Sequence, residues 1–284
     1  MIDLLVEPLR DGITMRALLE LVILGAICGP LGVWVVLHRQ SYAAESIAHS
    51  MLPGLVLATL VGVPLGLGAA AGLMVAVACV GLASRRVAVG PDVGVAVAVT
   101  ALVGLGTLLA LAPEVPVRLG ELLFGDPLGV STGDLLASAA LALAVLAALA
   151  GCHRTLTLSG FDPETAASLG GGNARAATLL LGLLALTILI AVQALGNLLV
   201  VAILIAPGAT ALRLRDRLGP ALRLSAAVAA VAAVAGIYLS YWADIAAGAA
   251  VALCAVAIFA IAMLLPRSRI GGGDANILRR WKRA

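Results

Sequence analysis

Residues 17–37 read ALLELVILGAICGPLGVWVVL, and residues 178–192 read TLLLGLLALTILIAV. Each runs for many residues with almost no charge, near the roughly 20 that a helix needs to cross a hydrocarbon layer. Strands of a membrane barrel alternate apolar and polar positions, whereas these runs are unbroken and rich in Ala and Leu, so helices are the spanning elements. The whole chain agrees. Of its 284 residues 62% are hydrophobic and only 12% charged, with a mean hydropathy of +1.14. A soluble domain carries about 45–50% apolar and about 25% charged residues, and cannot hide this much apolar surface.

Outward from the two runs, the sequence predicts an all-α, polytopic membrane bundle of about nine spans. They fall at 17–37, 46–62, 65–83, 93–112, 133–151, 174–192, 194–212, 224–242 and 245–265. Tight hairpins are expected at Gly62-Val63-Pro64 and near Gln193 to Gly196. The stretch Leu119 to Phe124 reads as a short interfacial helix or a further pass, so counts of eight and ten stay open. Residues 1–266 form one transmembrane domain, and 267–284 a basic tail.

Basic residues collect at His38-Arg39, Arg85-Arg86, Arg154, the run Arg213, Arg215, Arg217 and Arg223, and Arg267 to Arg283. With nine alternating spans all of these fall on one side. The positive-inside rule makes that side the cytoplasm, with the N-terminus outside and the C-terminus inside. The Arg279-Arg280-Trp281-Lys282-Arg283 cluster suits anionic headgroups or simply anchors the topology. Asp3, Glu7, Arg10, Asp11 and Arg16 precede the first apolar run without the layout of a cleavable signal. Cys28, Cys79, Cys152 and Cys254 stand singly, which leaves no disulfide framework and no CxxC metal motif. No GK[ST] phosphate loop occurs, so any ATP-driven work falls to another chain.

At the start of the second span Glu45 and His49 lie four positions apart, one above the other on a single helix face. A carboxylate and an imidazole together suit zinc, manganese or ferrous iron better than magnesium or calcium. Two ligands are fewer than such ions usually take. Either a second copy of the chain completes the shell, or the pair is an ordinary intrahelical hydrogen bond near the headgroups. Pro53-Gly54 follows in the same span, removing a backbone donor and freeing a carbonyl one turn earlier. Such breaks are tolerated where they line a cavity. Pro207 lies three residues before the polar end of the seventh span and is expected to turn the chain there. His153 to Asn173 reads as a polar, turn-rich cytoplasmic segment. In it Asp162 can cap a short surface helix opening at Pro163 and Glu164, fit to dock a partner. Asp244, after Ser240-Tyr241-Trp242, reads as a turn residue at the outer interface.

These segments resemble one family. Ala44 to Gly54, AESIAHSMLPG, is similar to the GDAISHAVLPG segment of the zinc, manganese and iron ABC-transporter permeases. Leu122 to Asp126 resembles that family's LFGD segment, Phe161-Asp162-Pro163-Glu164 its FDPE loop, and Gly196 to Thr210 its GxLLVxALLIxPAATA span. Ser240-Tyr241 with Asp244 and Gly248 resembles its SYxxDxPxG motif. The matches fall in order and cover most of residues 15–265. The resemblance implies a type II ABC-importer-like permease that dimerises, receives metal from an extracytoplasmic binding protein and rests on two cytoplasmic ATPase subunits. It implies that Glu45 and His49 contact the metal within the membrane and that Phe161 to Glu164 meets the ATPase. The chain itself would hold no cofactor, the divalent ion being cargo and ATP lying on the partner subunit; no nucleic acid is expected. Two positions depart from the pattern, Glu45 where the family has aspartate and Ala246 where it has proline.

Three other classes compete. A permease for metal chelates or cobalamin-like ligands would need no paired ligands. An ion-coupled secondary carrier would need no docking segment. An intramembrane metalloprotease would want HExxH, and here the order is Glu then His.

Overall fold

The computed structural model describes residues 12–86, 91–111, 129–162, 166 and 173–265. All ten described elements are helices. They are α1 (Gly12–Leu37), α2 (Ser41–Ser50), α3 (Leu52–Val61), α4 (Leu65–Arg86), α5 (Pro91–Ala110), α6 (Thr132–Gly151), α7 (His153–Phe161), α8 (Asn173–Leu214), α9 (Leu218–Ala243) and α10 (Ala247–Leu264). Eight segments among the described residues are long and apolar enough to cross a membrane, with α2 and α3 counted as one span over Ser41–Val61. The first limb of α8, Arg175–Val192, is among them, and its second limb is the shorter apolar helix Leu199–Leu214.

Each limit has a local cause. The first hairpin forms where expected, because Gly62 takes a left-handed φ of 76° that ends α3 before Pro64. The second expected hairpin, near Gln193 to Gly196, is a break inside α8, where Gly196 has φ 73° and ψ 167°. A straight 42-residue helix would run about 63 Å, twice the roughly 30 Å of hydrocarbon. Gly196 therefore divides it into two limbs. α6 opens on a capping box: Asp134 N–H donates to Ser131 Oγ at 3.2 Å, and Ser131 N–H donates to Asp134 Oδ2 at 3.0 Å.

α1 and α8 form the centre. α9 and α10 pack on them from one side, and α2 to α5 form the other. The α1–α8 contact is backbone on backbone: Gly32 lies against the Leu204 carbonyl, and a Cβ on Gly208 would come 2.5 Å from the Gly32 carbonyl carbon. Small residues substitute for the hydrophobic drive that helices lack inside lipid. This clamp explains one correction to the sequence reading. Pro207 does not turn the chain; the helix continues to Leu214, held between Gly208 on Gly32 and the Thr210 hydroxyl donating to the Ala206 carbonyl at 2.7 Å.

α1 and α9 run antiparallel, since Gly25 meets Ala229 and Gly29 meets Ser225. The start of α9 therefore lies beside the end of α1. Arg213 Nη2 donates to the Met263 carbonyl near the end of α10 at 3.3 Å, and His153 packs edge-on to Trp34 near the end of α1. His38-Arg39, Arg154 and the run from Arg213 to Arg223 thus share one end of the bundle. Residues 267–284, the Leu122 to Asp126 motif, Pro163 and Glu164 lie outside the described residues.

Candidate functional site

The chain enters the site through a tight link between α1 and α2. Gln40 N–H donates to the Val35 carbonyl and Arg39 N–H to the Val36 carbonyl, at 2.9 and 3.1 Å, with Arg39 at φ 56°. This is a Schellman ending with arginine in the left-handed position that glycine usually fills. It launches α2, which ends after ten residues.

The end of α2 is what the proline dictates. Pro53 has no N–H to give the His49 carbonyl, and that carbonyl instead accepts the N–H of Met51, where α2 stops and α3 begins. The break precedes Pro53 by two residues. Pro53 and Gly54 then act as a packing node: a Cβ on Gly54 would lie 2.6 Å from Gly72 Cα of α4, and one on Gly106 of α5 would lie 2.9 Å from Pro53 N. Ser50, beside His49, is buried, and its Oγ has no hydrogen-bond partner among the described residues.

Glu45 and His49 project from α2 on one face, with Glu45 Oε1 3.9 Å from His49 Nε2. The Glu45 side chain is 54% exposed and that of His49 26%, whereas Ala44, Ile47, Ala48 and Met51 on the opposite face are fully buried. The Glu45 carboxylate therefore faces outward, with His49 partly covered beside it, one turn into a stretch long and apolar enough to span the membrane. A carboxylate exposed on a spanning stretch needs water, headgroups, an ion or protein opposite it, because an ionised group is costly in hydrocarbon. Among the described residues no group of three His, Cys, Asp or Glu side chains converges, so this face presents two candidate ligand groups, Glu45 and His49.

The docking candidate differs from its expected form. The segment from His153, read as turn-rich, holds the nine-residue helix α7, which Asp162 closes; the short helix expected to open at Pro163 and Glu164 lies outside the described residues. Asp162 N–H donates to the Leu158 carbonyl at 2.9 Å, and its own carbonyl accepts Ala166 N–H at 3.0 Å, so backbone bonding runs on through it. Phe161 is exposed beside it.

Sequence reasoning missed two positions. Glu20 of α1 is 2% exposed, accepts the Ser138 hydroxyl of α6 on Oε1 at 2.6 Å, and leaves Oε2 without a partner among the described residues. One acidic residue inside an apolar run was the available signal. The other is His38, whose Nδ1 donates to the Trp34 carbonyl at 2.9 Å and whose Nε2 lies 3.1 Å from Ser159 Oγ of α7. A carbonyl only accepts, so Nδ1 carries the proton; on the neutral ring Nε2 then accepts the Ser159 hydroxyl. Burial holds this imidazole below its ordinary pKa, and the Trp34 carbonyl offsets only part of that.

Where the usual proline of the late motif is absent, the turn is intact. Ala246 precedes α10 at φ −55°, an angle proline would adopt, and Ser240 holds the turn by donating to the Ile245 carbonyl at 2.6 Å.

Comparison with known proteins extends this picture. The sequence profile of the ABC 3 transport family matches residues 10–266. The manganese transport system membrane protein MntC of Halalkalibacterium halodurans is 36% identical over 87% of this chain and 85% of its own. A probable iron transport system membrane protein of Haemophilus influenzae is 33% identical over 95% of this chain and the whole of its own. Among solved structures, PsaBC from Streptococcus pneumoniae in complex with Fab superposes with a TM-score of 0.84 at 26% identity, covering 95% and 98% of the two chains. An inward-facing metal-chelate type ABC transporter shares the fold, with a TM-score of 0.72 at 17% identity over 88% and 85%.

Proposed function

This chain belongs to the ABC 3 transport family, and from that premise we propose that it is the membrane pore subunit of an importer that moves a divalent transition metal into the cell. The observation that carries the reading is the Glu45–His49 pair, 3.9 Å apart and turned outward from a spanning segment. A second copy of the chain facing it would supply four ligands, enclose the charges away from lipid and complete a site that one protomer leaves half built. The relatives named for manganese and iron transport support a cargo of that class. Glutamate in place of aspartate reaches one methylene further, which suits a wider shell or a larger separation between the two protomers.

In this reading the chain performs no covalent chemistry. A binding protein outside delivers the ion. Glu45 oxygen and His49 nitrogen replace part of its hydration shell, and ATP binding and hydrolysis on two cytoplasmic subunits switch access from one side to the other. The break at Met51 makes α2 a short body that can tilt against α3, which is how the pair would change the side it faces. The Phe161 to Glu164 segment, whose first two residues end α7, is the one that would meet the ATPase.

The experiment is uptake by the chain reconstituted with its ATPase subunits in proteoliposomes. Uptake of free manganese that needs ATP, and that a metal chelate does not inhibit, is expected. Chelate uptake outcompeting the free ion would transfer the assignment to a chelate permease. Uptake that needs no ATPase subunit would transfer it to an ion-coupled carrier.

A further inference from the structure

At the basic end of the bundle α7 grips the end of α1 at two points. His153, its first residue, packs edge-on to Trp34 with ring centroids 5.4 Å apart, and Trp34 is 1% exposed. One turn before Asp162, Ser159 Oγ lies 3.1 Å from His38 Nε2. Gly160 lies flat on the same imidazole, where a Cβ would come 3.2 Å from its Cε1. The imidazole is fixed in turn by its bond to the Trp34 carbonyl.

His38 also caps α1 at the Schellman turn that launches α2. That turn is internally bonded, so displacement of His38 carries Gln40 and the first turn of α2 with it. Glu45 and His49 follow on the same ten-residue helix, which is separated from α3 at Met51. A contiguous chain of contacts therefore leads from the end of α7 through Ser159 and His38, and through the Schellman turn, to the Glu45–His49 pair. Hydrogen-bonded and packed contacts of this kind carry coupling where they end on an element whose arrangement both sites bias.

We propose that His38 is the positioning residue that transmits movement of the α7 end to the Glu45–His49 pair. It rests on the preceding reading of the two end sites and adds the link between them. The Ser159 hydroxyl makes the link adaptable. It donates to Nε2 of the neutral ring, and when the ring is protonated it accepts from Nε2 while donating to the Thr155 carbonyl 2.9 Å away.

The test compares Ser159→Ala, His38→Ala and Gly160→Ala with the unmodified complex in proteoliposomes, measuring manganese uptake and ATP hydrolysis in the same vesicles. Transmission predicts that metal moved per ATP falls about five- to tenfold while hydrolysis by the assembled complex stays within about twofold. Ser159→Thr, which keeps the hydroxyl, restores the ratio. A ratio unchanged in all three variants overturns the proposal, as does a proportional fall of uptake and hydrolysis, which is what a merely structural foothold would give. Should His38→Ala fail to assemble, Ser159→Ala and Gly160→Ala decide. A Glu45→Ala, His49→Ala complex runs alongside. If it transports normally, the site reading fails; if it is inactive while the α7 variants keep their ratio, only the link fails.

Discussion

Ser138 of α6 donates its hydroxyl to Oε1 of Glu20 in α1 at 2.6 Å, joining two helices by a carboxyl group that is 2% exposed. Inside a membrane such a bond is worth about 0.6–2 kcal/mol, and its loss leaves a buried acceptor unpaired. Ser138→Ala is expected to lower stability by about 1–2 kcal/mol. In a Glu20→Leu background the same change should cost nothing measurable. Thermal unfolding in detergent of the two single variants and the double variant reads the coupling; additive losses would mean that the bond contributes nothing.

Gly32 and Gly208 set how closely α1 and α8 approach. Gly32→Ala puts a methyl into the Leu204 carbonyl and is expected to cost about 1–3 kcal/mol, visible as a lower Tm. Gly182, whose added Cβ would meet nothing within 4 Å, is the control. Gly182→Ala should be neutral or raise stability by about 0.5–1 kcal/mol through helix propensity.

His38 makes stability depend on pH. Its folded pKa lies below the ordinary value of 6.5 because burial disfavours the charged ring. Above about 6.5 both folded and unfolded chains hold it neutral and the contribution is constant. As pH falls from there toward the lower folded pKa, the unfolded chain binds a proton that the folded chain does not, so stability declines and then levels. Tm of the purified chain between pH 7.5 and pH 5 should therefore drop less in His38→Gln than in the unmodified protein, to an extent set by this residue alone. His153, on the other side of Trp34, is a second titratable group near this ring and Arg39, next in the chain, a charged one, so the slope is to be compared in a His153→Gln background as well.

Ala246, at φ −55°, already has the backbone of a proline. Ala246→Pro is expected to stabilise by about 0.4–1 kcal/mol by restricting the unfolded chain, read as a raised Tm with uptake unchanged. A lowered Tm would mean that the N–H or the preceding residue is needed as it stands.

The spans, the Gly62 hairpin and the break in the second span were legible in the sequence because each is decided locally, by apolar length, by a glycine that accepts positive φ, or by a missing N–H. What stayed hidden depends on partners distant in the chain. α7 is a short polar helix whose dipeptides read as loop, and it is fixed by Trp34 and His38, more than a hundred positions away. Pro207 reads as a stop, yet the Gly32–Gly208 contact carries the helix through it. Glu20 is one carboxyl among twenty apolar neighbours, and its role appears only once Ser138 is seen opposite. The Glu45–His49 pair was legible as a pair, since i and i+4 share a helix face, but its outward direction depends on which face α5 and α8 bury.

The central claim is that Glu45 and His49 hold the transported ion between two copies of the chain. Manganese uptake by the reconstituted complex, with Glu45→Ala and His49→Ala made singly and together at matched assembly, tests it most directly. The account predicts that each single variant loses at least about tenfold, in line with the loss of one of few metal contacts, and that the double variant is little worse than either. Uptake equal to that of the unmodified complex in the double variant would contradict it.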